Sequence, residues 1–312
     1  EPTLTATGAS PTFTEGGSGS TLFTGATLST VESGQTVESM KLTVTNIDDS
    51  GSEYLIIDGS DVLLTNGTSG TSTGGNTFGY SVAVSGTTAT VTLTKSAATS
   101  VYDTMVEALQ YKNTAQDPST GNSRVVTLTE MVDSGSNSGS NDNIAALSVA
   151  STVTVAALND EPTLTATGAS PTFTEGDSGA TLFTGATLST VEAGQSVESM
   201  KLTVTNIDDS GSEYLTIDGS DVLLTNGTTG TTAGGNTFGY SVAVSGTTAT
   251  VTLTKSAATS VYDTMVEALQ YKNTHQDPST GNSRVVTLTE IVDSGSNAGS
   301  NDNINALSVA ST

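Results

Sequence analysis

The residues able to do chemistry in this chain of 312 are carboxylates and amides. It has no Cys and a single His, His275. Thiolate metal sites and disulfides are excluded, and zinc is disfavoured. Residues 1–152 hold no His with which to build a Ser-His-Asp set. The acids, by contrast, gather. Asn159, Asp160 and Glu161 form one group; Glu15, Asp48 and Asp49 a second; Glu192, Glu198, Asp293, Asp302 and Asn303 a third. Oxygen donors of this kind suit calcium, which takes six to eight oxygens at about 2.3–2.6 Å from carboxylates, amides, backbone carbonyls and water. Magnesium is the second choice, because it demands octahedral geometry and keeps its waters. Paired carboxylates could also hydrolyse glycosides. With Trp absent and aromatic residues at 4%, no stacking cleft accompanies them, and no enzyme is expected.

The elements that position these acids come in two copies. From Glu161 the chain repeats what it reads from Glu1, at a period of 160 residues and with twelve differences over 152 comparable positions. The expected organisation is a first repeat over 1–158, a linker over 159–161 and a second repeat over 162–312. The linker carries side-chain oxygens and no Gly/Ser or Pro run, unlike a flexible tether.

Within a copy, Leu4 to Thr14 reads as one extended segment. At about 3.3 Å per residue it spans roughly 35 Å, which sets Glu15 at the far end of the repeat from Glu1. The chain returns over Leu22–Val31 to the loop Glu32-Ser33-Gly34-Gln35. Met40, Leu42 and Val44 alternate with Lys41, Thr43 and Thr45, a period of two that signals a strand ending at Asp48-Asp49. Tyr54–Ile57 and Val62–Leu64 are shorter strands, and Thr68–Gly75 reads as a loop. Tyr80–Val84 and Ala89–Leu93 flank Ser85-Gly86-Thr87 as a hairpin. Ser100 and Asp103 resemble a capping box opening one helix, with Val101, Met105 and Leu109 as its apolar stripe. Arg124–Val132 and Leu147–Val155 are the closing strands, joined by the polar loop 133–143. This order predicts an all-β fold, two tandem antiparallel sandwiches with one short helix each.

Composition agrees: Thr, Ser, Gly and Val abound, and a core must be built from β-branched residues with a few Phe, Tyr, Leu and Met. A formal charge of −24, from 32 acidic and 8 basic residues, argues against nucleic acid and against anionic membranes. It suits a solvated, self-repelling surface, some of whose carboxylates converge on cations. No signal peptide and no membrane-spanning run is legible. The chain reads as a piece cut from a longer array.

Thr14-Glu15-Gly16, the Val101-to-Thr114 stretch ending Tyr111-Lys112-Asn113-Thr114, the Gln116-Asp117-Pro118-Ser119 turn and the closing Val153-to-Asp160 run together resemble cadherin-like repeats. These are the repeats that fill the extender regions of giant bacterial surface adhesins secreted by the type I route. The resemblance covers each copy end to end. It implies an immunoglobulin-like sandwich, calcium at the joints, and a spacer role at the bacterial cell surface in adhesion and biofilm formation. The acids of such a joint are matched here by Glu15, Asp48, Asp49, Asn159, Asp160, Glu192 and Asp293. Animal cadherin linkers hold more acids, and the Gly-Gly-x-Gly-x-Asp calcium roll is absent.

The expected ligands are therefore Glu15, Asp48, Asp49, Asn159, Asp160, Glu161, Glu192, Asp293 and Asp302, with Glu175, Asp208 and Asp209 as half a site in the second copy. The loop 293–303 is a further place for an ion. Taken singly, Asp, Asn and Gly at these positions also suit ordinary turns. His275 stands where the first copy has Ala115 and reads as a surface substitution. The Asn66-Gly67-Thr68 and Asn226-Gly227-Thr228 sequons fit chance in a Thr-rich chain. The expected partners are neighbouring identical repeats in a monomeric rod, without direct membrane contact. The alternative is a module that binds a sugar or a protein surface, for which the 68–75 loop is the place to look.

Overall fold

Strands with one apolar face build both of the units into which the chain divides, Glu1–Leu158 and Asn159–Thr312. The computed structural model describes residues 1–138, 142–298 and 301–312. Residues 139–141 of the polar loop 133–143, and 299–300 of the loop 293–303 expected as a further place for an ion, lie outside the described residues.

Unit 1 contains β1 (Thr3–Gly8), β2 (Thr12–Thr14), β3 (Ser20–Thr21), β4 (Phe23–Ser29), β5 (Val37–Thr45), β6 (Glu53–Ile57) and β7 (Ser60–Leu63). It continues with β8 (Ser69–Thr71), β9 (Gly79–Ser85), β10 (Thr88–Ala97), α1 (Thr99–Glu107), β11 (Gln110–Asn113), β12 (Arg124–Asp133) and β13 (Ile144–Ala156). The largest sheet has the order β2-β13-β12-β5-β10-β9-β8; a second has β3-β11-β6-β7, and β1 pairs with β4. The pairings are antiparallel except one: Thr154–Ala156 of β13 runs parallel to Thr12–Thr14 of β2. The expected single extended segment 4–14 is in fact two strands, β1 and β2. Ser10 adopts φ 46 and Pro11 follows, so the chain leaves one sheet and joins another. The expected loop at 68–75 contains β8, paired to β9.

Period-two alternation does its work in β5, where Met40, Leu42 and Val44 are fully buried between β10 and β12. Lys41 points outward and pairs with Glu130 at 2.8 Å. Leu42 and Val44, Leu55 and Ile57 from the smaller sheet, and Tyr102 and Val106 from the helix share one apolar cluster. At about 25 cal/mol per Å² of apolar surface, this shared cluster is what binds sheets and helix together.

The helix corrects the sequence reading. Its N-cap is Ala98 with no side-chain cap, so Ser100 and Asp103 form no capping box. Asp103 Oδ1 instead accepts from Leu28 N at 2.7 Å, and Glu107 Oε1 from Ala26 N at 3.1 Å, which sews the helix to β4. Its buried residues are Tyr102, Met105 and Val106, a face rotated from the expected stripe, and Tyr102 stacks edge-on against Phe78 at 5.1 Å.

Unit 2 contains β14 (Thr163–Gly168), β15 (Ala180–Thr181), β16 (Phe183–Ser189), β17 (Val197–Thr205), β18 (Glu213–Ile217), β19 (Ser220–Leu223) and β20 (Thr229–Thr231). Then come β21 (Gly239–Ser245), β22 (Thr248–Ala257), α2 (Thr259–Glu267), β23 (Gln270–Asn273), β24 (Val285–Asp293) and β25 (Ile304–Ser311). Its sheets follow the same plan, β20-β21-β22-β17-β24-β25, β15-β23-β18-β19 and β14-β16. Among the described residues no helix is long and apolar enough to cross a membrane.

One turn holds a valine in a left-handed conformation, Val31 at φ 65 and its counterpart Val191 at φ 66. Such residues rarely go there, and the cost is of order 1–3 kcal/mol. Val31 is 65% exposed, so replacing it forfeits little packing. Val31→Asn, which tolerates this region, is expected to stabilise unit 1 by about 1 kcal/mol. Thermal melting checks this, and a lowered midpoint would contradict it.

Candidate metal centre

Unit 2 gathers the third group of acids, with the first two linker residues, at one pole. Glu192 sits in the turn after β16, which the left-handed Val191 folds back; Val191 N donates to Ser189 Oγ at 3.1 Å. Gln195 lies just before β17, Asp293 ends β24, and Asn303 precedes β25. Asn159 is caught between them. Its N donates to Asn301 Oδ1 at 2.7 Å, its Nδ2 to Asp302 O at 2.6 Å, and its carbonyl accepts from Asp302 N at 2.8 Å. Its Oδ1 accepts from Gln195 Nε2. Asp160 N donates to Glu192 Oε1 at 2.9 Å. Gly295 is required here, since a Cβ at that position would meet Asn159 Oδ1 at 1.7 Å.

This pole leaves oxygens without donors. Asp160 Oδ2, Glu192 Oε2, Gln195 Oε1, Asp293 Oδ2 and Asn303 Oδ1 are all buried and accept no hydrogen bond. Asp293 is 1% and Glu192 9% exposed. Among the described residues no Lys or Arg forms an ion pair with these acids. A buried carboxylate without a partner costs several kcal/mol. Accordingly, burial pushes the Glu192 carboxyl above the usual range, and the charges of Asp160 and Asp293 add to the shift. Burial likewise raises Asp293, helped by Asp302 and Glu198.

The same pole in unit 1 explains this for the carboxylates, although Asn143 Oδ1, the counterpart of Asn303 Oδ1, lacks a donor there too. There Gln35, with its amide turned so that nitrogen faces the acids, donates to Asp133 Oδ2 at 3.2 Å, Glu32 Oε2 at 3.1 Å and Thr30 O at 3.1 Å. In unit 2 Asn159 takes the nitrogen of Gln195 for itself, and Glu192 and Asp293 lose that donor. Five oxygens, three of them on carboxylates, then ask for a hard cation, and the donor set fits calcium. Asp160, Glu192, Asp293, Gln195 and Asn303 are the residues that would hold it. Among the described residues no three His, Asp or Glu side chains are grouped so as to hold a metal ion by themselves. Gln195 carried no sequence signal, because its role depends on Asn159 occupying its nitrogen.

The remaining expected ligands have other placements. Glu15 is buried and its Oε2 accepts from Leu158 N at 2.8 Å, while Glu175 is exposed. Asp49 is held by a buried cation. Arg124 donates to Asp49 Oδ2 at 2.8 Å and to both oxygens of Glu53 at 3.0 and 3.2 Å. Asn113 Nδ2 adds 2.6 Å to Asp49, Tyr111 Oη donates to Glu53 at 2.8 Å, and the amides of Asp48 and Asp49 both donate to Glu53 Oε1 at 2.8 Å. Asp209 meets Arg284 at 3.1 Å and Asn273 at 2.7 Å in the second copy. Where the sequence suggested metal for Asp49 and Asp209, the structure supplies guanidinium. Asp48 Oδ2 accepts from Asn122 at 3.3 Å; Asp208 N donates to Glu213 at 2.8 Å. Asp302 Oδ1 caps Ile304 N at 2.9 Å. Glu161 is exposed.

The raised carboxyls set a pH dependence. A carboxyl whose folded pKa lies above its unfolded value binds more protons when folded, so it costs stability as pH rises through that value. Metal-free unit 2 is therefore expected to gain stability on going from neutral pH toward the ordinary carboxylate range, and calcium affinity to fall over the same interval. Melts in chelator across that range check it. The slope should flatten in Glu192→Gln/Asp293→Asn, and an unchanged slope would refute the assignment.

The chain matches no protein-family model, and neither a curated protein nor a solved structure is found to match it.

Proposed function

We propose that this chain is a calcium-stiffened spacer, built of cadherin-like, immunoglobulin-like sandwich repeats, from a long bacterial surface adhesin. The observation that carries the reading is the cluster of five donorless buried oxygens around Asn159 and Asp160. Calcium there would neutralise Asp160, Glu192 and Asp293, and so tie the linker residues to the body of unit 2. Linker stiffness is what a spacer needs and a tether avoids. Near-identity of the copies supports the same reading, since length changes by adding units.

Calorimetric titration of the full chain with calcium tests this. Saturable binding is expected, with the strongest site lost in Glu192→Gln/Asp293→Asn and weakened in Gly295→Ala, which displaces Asn159 without touching a carboxylate. Absence of calcium binding, or binding unaffected by both variants, would remove this site from the account.

A further inference from the structure

Asn159 and Gln195 meet amide to amide, and one orientation suits both. Asn159 Nδ2 donates to Asp302 O at 2.6 Å and to Asp160 O at 3.2 Å. Two carbonyls hold that nitrogen, so Asn159 Oδ1 faces Gln195. A carboxamide has one donor side and one acceptor side. Gln195 therefore turns its nitrogen to Asn159. Its own oxygen is left buried without a donor, as are Asp160 Oδ2, Glu192 Oε2 and Asp293 Oδ2. The orientation of Gln195 is thus set, through Asn159, by two backbone carbonyls.

The opposite orientation is within reach of this side chain. Gln35 holds the same place in unit 1, and its nitrogen serves Asp133 Oδ2 at 3.2 Å, Glu32 Oε2 at 3.1 Å and Thr30 O at 3.1 Å. The unit 2 counterparts of these acceptors are Asp293, Glu192 and Thr190. A half-turn of the Gln195 amide would set its nitrogen among them. With oxygen toward the acids, the pole asks for a cation. With nitrogen toward them, a donor stands where the cation would sit.

We infer that Gln195 is a two-position switch for the cation site, and that Asn159 is the positioning residue that sets it. Seated Asn159, 6% exposed, draws the nitrogen away and opens the site. Released Asn159 lets the nitrogen turn and close it. By reciprocity, a bound cation holds Asn159 in its seat by the same free energy. The inference rests on the calcium reading for the identity of the ion, but not for the two positions of the amide.

The test compares the full chain with Asn159→Ala, Gln195→Ala and the double variant, by calorimetric titration with calcium and by thermal melts in chelator. Asn159→Ala removes none of the five donorless oxygens, yet should weaken calcium binding by about tenfold. Gln195→Ala should weaken binding in the parent, which loses an oxygen, and strengthen it in Asn159→Ala, where it removes the competing nitrogen. The melts read the amide without calcium. For a simple bonded pair, Gln195→Ala costs less stability once Asn159 is gone. The switch predicts a larger loss in that background, because the nitrogen there serves Glu192 and Asp293. A smaller loss, or calcium binding weakened equally by Gln195→Ala in both backgrounds, would overturn the proposal. A parent that binds no calcium, with the larger loss still seen in chelator, would remove the calcium reading and leave the switch standing.

Discussion

Chelating calcium is expected to lower the melting temperature of unit 2 by roughly 5–10 °C while strand content at room temperature is kept. A site with a dissociation constant of about 0.1 mM in about 10 mM calcium contributes roughly 2.7 kcal/mol by mass action. For a unit of this size each kcal/mol moves the midpoint by about 2–4 °C. The physical source is the relief of Glu192 and Asp293, 9% and 1% exposed, each with one carboxylate oxygen that accepts no hydrogen bond. Unfolding then exposes these acids to water and releases the ion. Asp160→Ala should lose most of the calcium-dependent shift, since it removes one charge and the linker's only carboxylate among the donorless oxygens. Scanning calorimetry with calcium and with chelator measures the effect. A midpoint indifferent to chelation, with Asp160→Ala matching the parent, would leave an acidic spacer that needs no metal.

Arg124→Met is expected to cost unit 1 about 3–5 kcal/mol, the largest single loss foreseen. The Arg124 side chain is fully buried, and it is the counterion of both Asp49 and Glu53, themselves 9% and 2% exposed. Removing it strands two carboxylates in a poorly solvated site, together with the carbonyls of Ser119 and Asn122 that its Nη1 serves at 2.5 and 2.9 Å. Adding Glu53→Gln should recover part of the loss, because the amide oxygen still accepts from the Asp48 and Asp49 amides without a buried charge. Arg284→Met in unit 2 should cost less, as that side chain is 10% exposed and water can reach the site. Denaturant unfolding of the three variants measures this. A loss below about 1 kcal/mol for Arg124→Met would mean the network is not holding its pole together.

Much of the fold was legible in residue order. The period of 160, the β-class, the hairpin over 79–97 and the helix near 100–108 follow from alternation and composition, because a strand's apolar face is written every second residue. The alternation at Met40, Leu42 and Val44 marks a central strand whatever its neighbours are. Helix position was readable too, but its capping was not. Asp103 is a plausible cap by spacing; only the approach of β4 gives its carboxylate a better donor in Leu28 N.

The candidate site divides in the same way. Sequence alone determined that no thiolate could exist, that residues 1–152 could hold no Ser-His-Asp set, and that acids would collect in a few loops. Which acids find a cation inside the protein and which do not was decided by tertiary structure. Asp49 and Asp293 look alike in sequence, each an Asp following an apolar strand. Arg124 lies 75 residues from Asp49 along the chain and reaches it only because β12 pairs with β5. Asp293, 1% exposed, forms no ion pair with a Lys or Arg among the described residues and loses the amide of Gln195 to Asn159. Charge is a property of residues, but the partner that neutralises it is a property of the fold, since burial removes water as the default partner and leaves only what the packing brings within reach.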